Sequence, residues 1–228
     1  MSDAVIQESP LAFFWSVETG TAQADTAGVT LGERAFQGHI SLRGDATDRG
    51  FLDAVQSAAG VGLPLEANTV AESGEVAALW LGPDEWLLLT SADRAVGLYQ
   101  GLRDALAGIH AAVTDLTGGQ TVITVRGPRA RDVLAKGCSL DLHPRAFGPG
   151  RCAQSHLAKA SVIIRQVDES PSYDVIVRRS FAEYLALWLK DASLEYGVAL
   201  EGEVVRLAGM CNPTPNLFPP GPPRAPRE

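Results

Sequence analysis

The stretch TVITVRG (residues 121–127) decides the fold, because a similar stretch, HISLRG (residues 39–44), occurs earlier in the chain. Both stretches alternate apolar and polar residues, which is typical of a β-strand with one buried face. Each ends in an Arg-Gly step and is followed by a predicted helix, over 48–59 in the first case and 128–136 in the second. The chain therefore contains an internal repeat.

The repeat continues beyond these two strands. The first half has predicted hairpin strands at 76–81 and 86–90 and a helix at 92–106, and the second has strands at 161–167 and 173–178 and a helix at 180–196. We expect Val96 to lie on the buried face of the first of these helices. In the second, we expect Ser180 and Glu183 to form a capping box and Phe181 to be buried.

A further strand at 111–116 follows the first unit. The order strand, helix, strand, strand, helix in each half predicts an α+β protein built from duplicated ferredoxin-like βαββαβ units. We place the folded region at 28–200, with repeats at about 28–117 and 118–200.

Both ends of the chain differ from this folded region. Residues 1–27 form an N-terminal segment with weak patterning, apart from the aromatic trio Phe13, Phe14 and Trp15. Residues 201–228 are rich in proline, which disfavours helices and central strands and predicts an extended, mobile tail.

The composition excludes several classes of partner. A net charge of −8 and a pI near 5.0 argue against a nucleic-acid partner, which needs clustered basic residues. The sequence has no apolar run of the roughly 18 residues that a membrane span requires. The N-terminus MSDAVIQESP lacks the pattern of a signal peptide, and the three cysteines contain no CxxC pair. These features predict a cytoplasmic protein with reduced thiols.

An acidic pair, Asp84 and Glu85, interrupts the apolar run LGPDEWLLL (residues 81–89). The corresponding position in the second half is DESPS (residues 168–172), which has the composition of a turn. Neighbouring residues of a strand also point to opposite faces, so the two carboxylates could not act on one substrate atom. We therefore interpret the pair as part of a turn between two strands.

Two other patterns could carry chemistry. Cys138, His143, Cys152 and His156 are ligand types of a zinc site, but their spacing fits no common zinc finger. We favour packed cysteines and loop histidines over a metal site or a cysteine nucleophile. The glycines of TGGQ (residues 117–120) precede a strand, whereas a phosphate loop requires a helix, so we expect a tight connection between two strands.

The stretch GPRARDVLAKGCSLDLHPRAF (residues 127–147), supported by LGPDEWLLL, resembles the gamma subunit of heterotetrameric sarcosine oxidase. The pattern from Asp115 to Pro128 is also distantly similar to the folate-binding domain of glycine-cleavage aminomethyltransferases, which have a duplicated ferredoxin-like architecture. The resemblance therefore implies an aminomethyltransferase folate-binding-domain-like fold.

The resemblance also implies a function. In that family the complex demethylates sarcosine to glycine with oxygen and tetrahydrofolate, giving hydrogen peroxide and methylene-tetrahydrofolate, as part of sarcosine catabolism and one-carbon metabolism. FAD, FMN, NAD, tetrahydrofolate and zinc are bound by other subunits, so this chain is expected to be a non-catalytic structural subunit without a cofactor or metal. Its expected partners are the alpha, beta and delta subunits, mainly alpha.

We expect aromatic and arginine side chains to form the contact with these partners. The candidate interface residues are Phe13, Phe14, Trp15, Arg126, Arg129, Leu217 and Phe218. Ordinary core packing is the alternative for the aromatic trio. The alternative function is a stand-alone tetrahydrofolate-binding or folate-dependent protein, which the fold resemblance alone would suggest.

Overall fold

Two β-sheets pack face to face, and helices cover their outer faces. The computed structural model describes residues 7–202. The helices are α1 (Ala12–Val17), α2 (Arg49–Ala59), α3 (Ala92–Ala105), α4 (Ala130–Ala135) and α5 (Ala182–Ser193). The strands are β1 (Val29–Arg34), β2 (Gly38–Arg43), β3 (Val70–Ser73), β4 (Val76–Gly82), β5 (Glu85–Thr90), β6 (Ala112–Asp115), β7 (Gln120–Arg126), β8 (Cys152–Leu157), β9 (Ala160–Asp168), β10 (Ser172–Arg178) and β11 (Val198–Glu201).

The first sheet has the strand order β3-β4-β5-β2-β6, and its neighbouring strands are antiparallel. Without the edge strand β3, this is the sheet of a βαββαβ unit, in which the first strand lies between the third and the fourth. Side chains of α2 and α3, including Phe51, Val55 and Leu102, form one core with this sheet. The predicted α+β, ferredoxin-like fold is confirmed for the first unit.

The second sheet has the order β11-β1-β7-β10-β9-β8. Strands β9, β10 and β7 correspond to β4, β5 and β2 of the first sheet, and α4 and α5 correspond to α2 and α3. However, β1 lies between β7 and β11, antiparallel to β7 and parallel to β11. A strand that precedes the first unit in the chain is therefore inserted into the sheet of the second unit.

Three clusters of buried side chains hold these layers together. One lies between the second sheet and helices α1, α4 and α5, and another between the first sheet and its helices. The third lies between the two sheets and contains Ala77, Leu79, Leu87, Leu89, Val122, Cys152 and Ile176. Because the third cluster draws on both sheets, apolar burial couples the two units.

The two Arg-Gly steps have a structural explanation. Gly44 follows β2 and lies against the ring of Phe51 in α2, so a Cβ atom there would collide with that ring. Gly127 follows β7 with φ of 109°, and a Cβ atom there would come within 2.7 Å of the Gly28 carbonyl oxygen. In both units, glycine lets the chain leave the first strand without colliding with a packed neighbour.

The structure corrects three details of the helices. Val96 is 71% exposed, and Ala95, Leu98 and Leu102 form the buried face of α3 instead. The predicted capping box of Ser180 and Glu183 is wrong, because α5 starts only at Ala182, after a 3-10 turn over Arg179–Phe181. Phe181 is exposed and not part of the buried face.

Candidate functional site

The acidic pair of LGPDEWLLL lies at a hairpin, as predicted. β4 ends at Gly82 and β5 begins at Glu85, so Asp84 is in the connection between them. Glu85 forms an ion pair with Arg43 on the adjacent strand, and both side chains are partly exposed. The two carboxylates therefore shape and flank a turn.

The cysteines and histidines considered for zinc are held apart by the fold. Cys138 packs in the core under the helices, whereas Cys152 packs between the two sheets. Within residues 7–202, no group of three or more potential metal-ligating side chains is present. Burial raises the pKa of the Cys152 thiol to about 11, so this thiol stays protonated at neutral pH and is a poor nucleophile.

The glycine-containing connection TGGQ is a tight connection between two strands, as predicted, and it forms a 3-10 turn that links the two sheets. It spans Thr117–Gly119, between β6 of the first sheet and β7 of the second. The backbone N–H of Thr117 donates to the Asp115 carboxylate at 2.9 Å. The Thr117 hydroxyl accepts a hydrogen bond from the backbone N–H of His39 at 3.1 Å. These hydrogen bonds hold the turn against the start of β2.

The aromatic trio divides between core and surface. Phe14 and Trp15 are 2% and 8% exposed, and the Trp15 indole donates to the Glu33 carboxylate at 2.9 Å. Both rings therefore pack in the core of this chain, which is the alternative that the sequence left open for the trio, and their role in a subunit contact stays a prediction. Phe13 is 67% exposed and is the member of the trio that a partner could contact.

The two arginines of the predicted interface are about half exposed and already paired. Arg126 lies 3.6 Å from the Glu201 carboxylate. Arg129 lies 3.1 Å from Asp132, and its guanidinium is 4.7 Å from the centre of the Tyr196 ring. Such surface pairs leave donors free for a further partner. Leu217 and Phe218 lie outside the described residues.

Phe13 is one of four exposed apolar side chains on α1 and α5, two helices that contact each other, and the sequence did not indicate this group. We name it the α1–α5 patch, and it consists of Phe13 and Val17 on α1 and Tyr184 and Leu187 on α5. Two polar contacts join the segments around α1 and α5. Glu18, which directly follows α1, pairs with Lys190 on α5. Arg179, which precedes α5, donates to the Glu8 carbonyl before α1 at 2.7 Å. The patch is rimmed on α5 by the exposed acidic residues Glu183 and Asp191.

A second feature lies between the sheets. Arg165 on β9 and Asp174 on β10 are both buried and pair at 2.9 Å, Glu72 on β3 pairs with Arg165, and Arg34 on β1 lies 3.4 Å from Asp174. We name these four residues the inter-sheet ionic cluster. A charge buried at such a site requires a partner, and Glu72 of the first sheet helps to compensate the buried Arg165 of the second.

His39 is a further buried polar residue of this region. It pairs across the ladder with Leu89, a member of the inter-sheet cluster of apolar side chains, so its ring faces the second sheet. Among the described residues, neither ring nitrogen has a hydrogen-bond partner. Burial lowers the pKa of His39 to about 4, against the smaller opposing effects of the Gln37 backbone and the Asp115 carboxylate.

Sequence reasoning missed the ionic cluster, although two of its members leave a signal. Arg165 and Asp174 are charged residues in the interior of two largely apolar strands, ASVIIRQVD and SYDVIVR. A charge in a buried strand is rare unless it is paired, so the two could have been matched across the predicted hairpin. Arg34 and Glu72 come from strands that the repeat did not predict.

Comparison with known protein families extends these observations. The model of the "Sarcosine oxidase, gamma subunit family" matches residues 43–195. The sarcosine oxidase subunit gamma of Corynebacterium sp. (strain U-96) is 36% identical over 195 residues, which are 85% of this chain and 93% of that protein. The corresponding subunit of Arthrobacter sp. is 40% identical over 177 residues, 77% of this chain and 85% of that protein.

Solved structures also show similarity to a sarcosine oxidase. A chain of the heterotetrameric sarcosine oxidase from Corynebacterium sp. U-96 matches with a TM-score of 0.76 and 36% identity, over 83% of this chain and 96% of that one. The glycine cleavage system aminomethyltransferase T from Bartonella henselae matches with a TM-score of 0.57 and 16% identity, over 77% of this chain and 48% of that one, which shows the fold alone. The chain belongs to the sarcosine oxidase gamma subunit family.

Proposed function

We propose that this chain is the non-catalytic gamma subunit of a heterotetrameric sarcosine oxidase. The observation that carries the proposal is the similarity to a sarcosine oxidase gamma subunit over 93% of that protein's length. The heterotetrameric sarcosine oxidase of the same organism contains a chain of similar fold, and the match covers 96% of that chain. The proposed reaction of the assembly is the oxidative demethylation of sarcosine, with FAD, FMN, NAD, tetrahydrofolate and zinc bound by other subunits.

The chemistry of this chain's own side chains supports a structural role. The Cys152 thiol is buried and protonated, the acidic pair at residues 84–85 belongs to a hairpin, and the buried charges are paired with one another. These side chains thus contribute to the packing and the ion pairs of the fold. The fold likeness to aminomethyltransferase does not by itself support a stand-alone folate-dependent function.

The α1–α5 patch supports a contact with another subunit, and we propose the alpha subunit as the main partner. Its exposed aromatic and aliphatic side chains are the type that form the centre of an interface. The acidic rim formed by Glu183 and Asp191 favours an apolar surface bordered by lysine or arginine on the partner. The free donors of Arg126 and Arg129 remain candidates for a second contact. Within residues 7–202, no helix is long and apolar enough to cross a membrane, and a cytoplasmic location is part of the proposal.

Co-expression with the alpha, beta and delta subunits tests the proposal. A tag on the unmodified chain should capture flavin-containing large subunits. Leu187→Glu should weaken this capture at least about tenfold, because the substitution places a charge at the centre of an apolar contact. Val96→Glu is the matched control, since Val96 is an exposed apolar residue on a different helix. We expect it to assemble like the unmodified chain.

The outcomes separate the two parts of the proposal. Capture of a colourless single chain would contradict the subunit role. Normal capture by Leu187→Glu, with the flavin subunits present, would contradict only the position of the interface. The circular dichroism spectrum of each variant, recorded on the chain alone, establishes that the fold is retained.

A further inference from the structure

A cavity of about 240 Å³ opens between the two sheets, beside the inter-sheet ionic cluster. Its polar lining includes Arg34, Gln37, Glu72 and Arg165. Its apolar lining includes Ala77, Leu89 and Val167. A space of this size, lined by charges of both signs and by aliphatic groups, can hold a small charged molecule with little apolar surface.

The hydrogen-bonding capacity of the lining is only partly used. Arg165 is occupied, because its Nε and Nη2 atoms contact Asp174 and its Nη1 atom contacts Glu72. Among residues 7–202, the Arg34 side chain makes one contact, of 3.4 Å with Asp174, which leaves most of its five N–H donors available. The Oε1 atom of Gln37 is buried, and within the described part of the chain it has no hydrogen-bond partner.

The cavity therefore offers a cationic donor group together with acceptors that can form further hydrogen bonds. Arg34 can bind a carboxylate through two parallel N–H donors. The Gln37 amide oxygen and the half-exposed Glu72 carboxylate can accept from an ammonium group. A simple anion would be repelled by Glu72 and Glu75, which also lines the cavity, and a simple cation would be repelled by Arg34 and Arg165.

We propose that this cavity binds a small α-amino acid in its zwitterionic form. The carboxylate of the ligand pairs with Arg34, its ammonium group donates to Gln37 and Glu72, and a methyl or short aliphatic group contacts the apolar lining. This inference rests on the cavity alone, and a measurement on the full chain by itself keeps it separate from the subunit role.

The test is isothermal titration calorimetry, which measures the affinity of the full chain for glycine and for sarcosine. N-acetylglycine, which lacks the ammonium charge, and methylamine, which lacks the carboxylate, should each bind at least about tenfold more weakly, because each loses one set of charge-assisted hydrogen bonds. Arg34→Gln should weaken glycine or sarcosine binding by a similar factor. Arg126→Gln, which changes a partly exposed arginine of the neighbouring strand β7, should leave the affinity within about twofold.

Gln37→Met provides an independent variant, because it removes the acceptor while keeping a side chain of similar size. It decides the test if Arg34→Gln does not fold. The proposal is overturned if neither amino acid binds at millimolar concentration, or if N-acetylglycine and methylamine bind as tightly as glycine. Equal affinity of the unmodified chain and of the folded Arg34→Gln or Gln37→Met variant would also overturn it.

Discussion

His39 is fully buried, and burial lowers its pKa from 6.5 to about 4. In the unfolded chain the ring takes up a proton as the pH falls through 6.5, whereas in the folded chain it stays neutral until about pH 4. Between these values the unfolded state binds more protons, so the stability from this residue is fully present above pH 6.5 and is lost as the pH falls. The size of the pKa change corresponds to about 3 kcal/mol.

We expect His39→Leu to remove this pH dependence of the stability. At pH 7 the variant should be about as stable as the unmodified chain, since a leucine of similar volume replaces a ring whose nitrogens lack partners in the described residues. Between pH 7 and pH 4 the unmodified chain should lose about 3 kcal/mol more free energy of unfolding than the variant. Urea denaturation at several pH values measures this difference. Parallel pH dependences of the two proteins would show that His39 is not the group responsible.

At the scale of elements, the junction between β7 and α4 depends on one backbone position. Gly127 has φ of 109°, and a Cβ atom would come within 2.7 Å of a backbone oxygen of Gly28. Gly127→Ala should therefore destabilise the chain by about 1–3 kcal/mol, through backbone strain and displacement of the start of β1. The measurement is the midpoint of urea unfolding, with Gly118→Ala as control.

Gly118 makes a suitable control because it has space around it. A Cβ atom there meets nothing within 4 Å, and its φ lies outside the range that favours glycine. We expect Gly118→Ala to change the free energy of unfolding by less than about 0.5 kcal/mol. If the two substitutions had equal effects, the strain at Gly127 would not be what limits this junction.

Elements defined by local pattern could be predicted, and elements defined by distant partners could not. The strands β2, β4, β5, β7, β9 and β10 carry alternation or apolar runs, and the helices between them carry periodicity. In contrast, β1 has the ambiguous sequence VTLGER, and it becomes a strand because β7 and β11 provide partners on both sides. A strand that forms because it pairs with distant strands leaves no signal in its own local sequence.

The candidate sites show the same limit. The pattern around Phe13, Phe14 and Trp15 indicated an important segment, but not which ring is exposed, because that depends on how α1 lies against α5. Arg34 and Gln37 gave no signal of a cavity, since the lining also requires Glu72 and Arg165 from two other strands. Spatial assembly, more than residue type, creates both sites.

For the whole molecule, the inserted strand β1 ties the two units into one folding unit. It precedes the first unit in the chain and hydrogen-bonds within the sheet of the second. At the opposite edge the Cys152 N–H donates to the Asn68 carbonyl at 3.0 Å, and the Val70 N–H donates to the Gly150 carbonyl at 2.9 Å. Together with the apolar cluster and the ionic cluster between the sheets, these links make separate unfolding of either unit costly.

We therefore expect a single unfolding transition, which two tryptophans can report separately. Trp86 is buried in the core of the first unit and Trp15 in the core of the second, so variants that retain only one of them, with the others changed to Phe, follow one unit each. The fluorescence midpoints in urea, each compared with the circular dichroism midpoint of the same variant, should coincide. A fluorescence midpoint clearly below the dichroism midpoint in the Trp86 variant would mean that the first unit opens while β1 remains in the second sheet. In that case the contacts between the sheets would be too weak to couple the units, and β1 would act only as a tether.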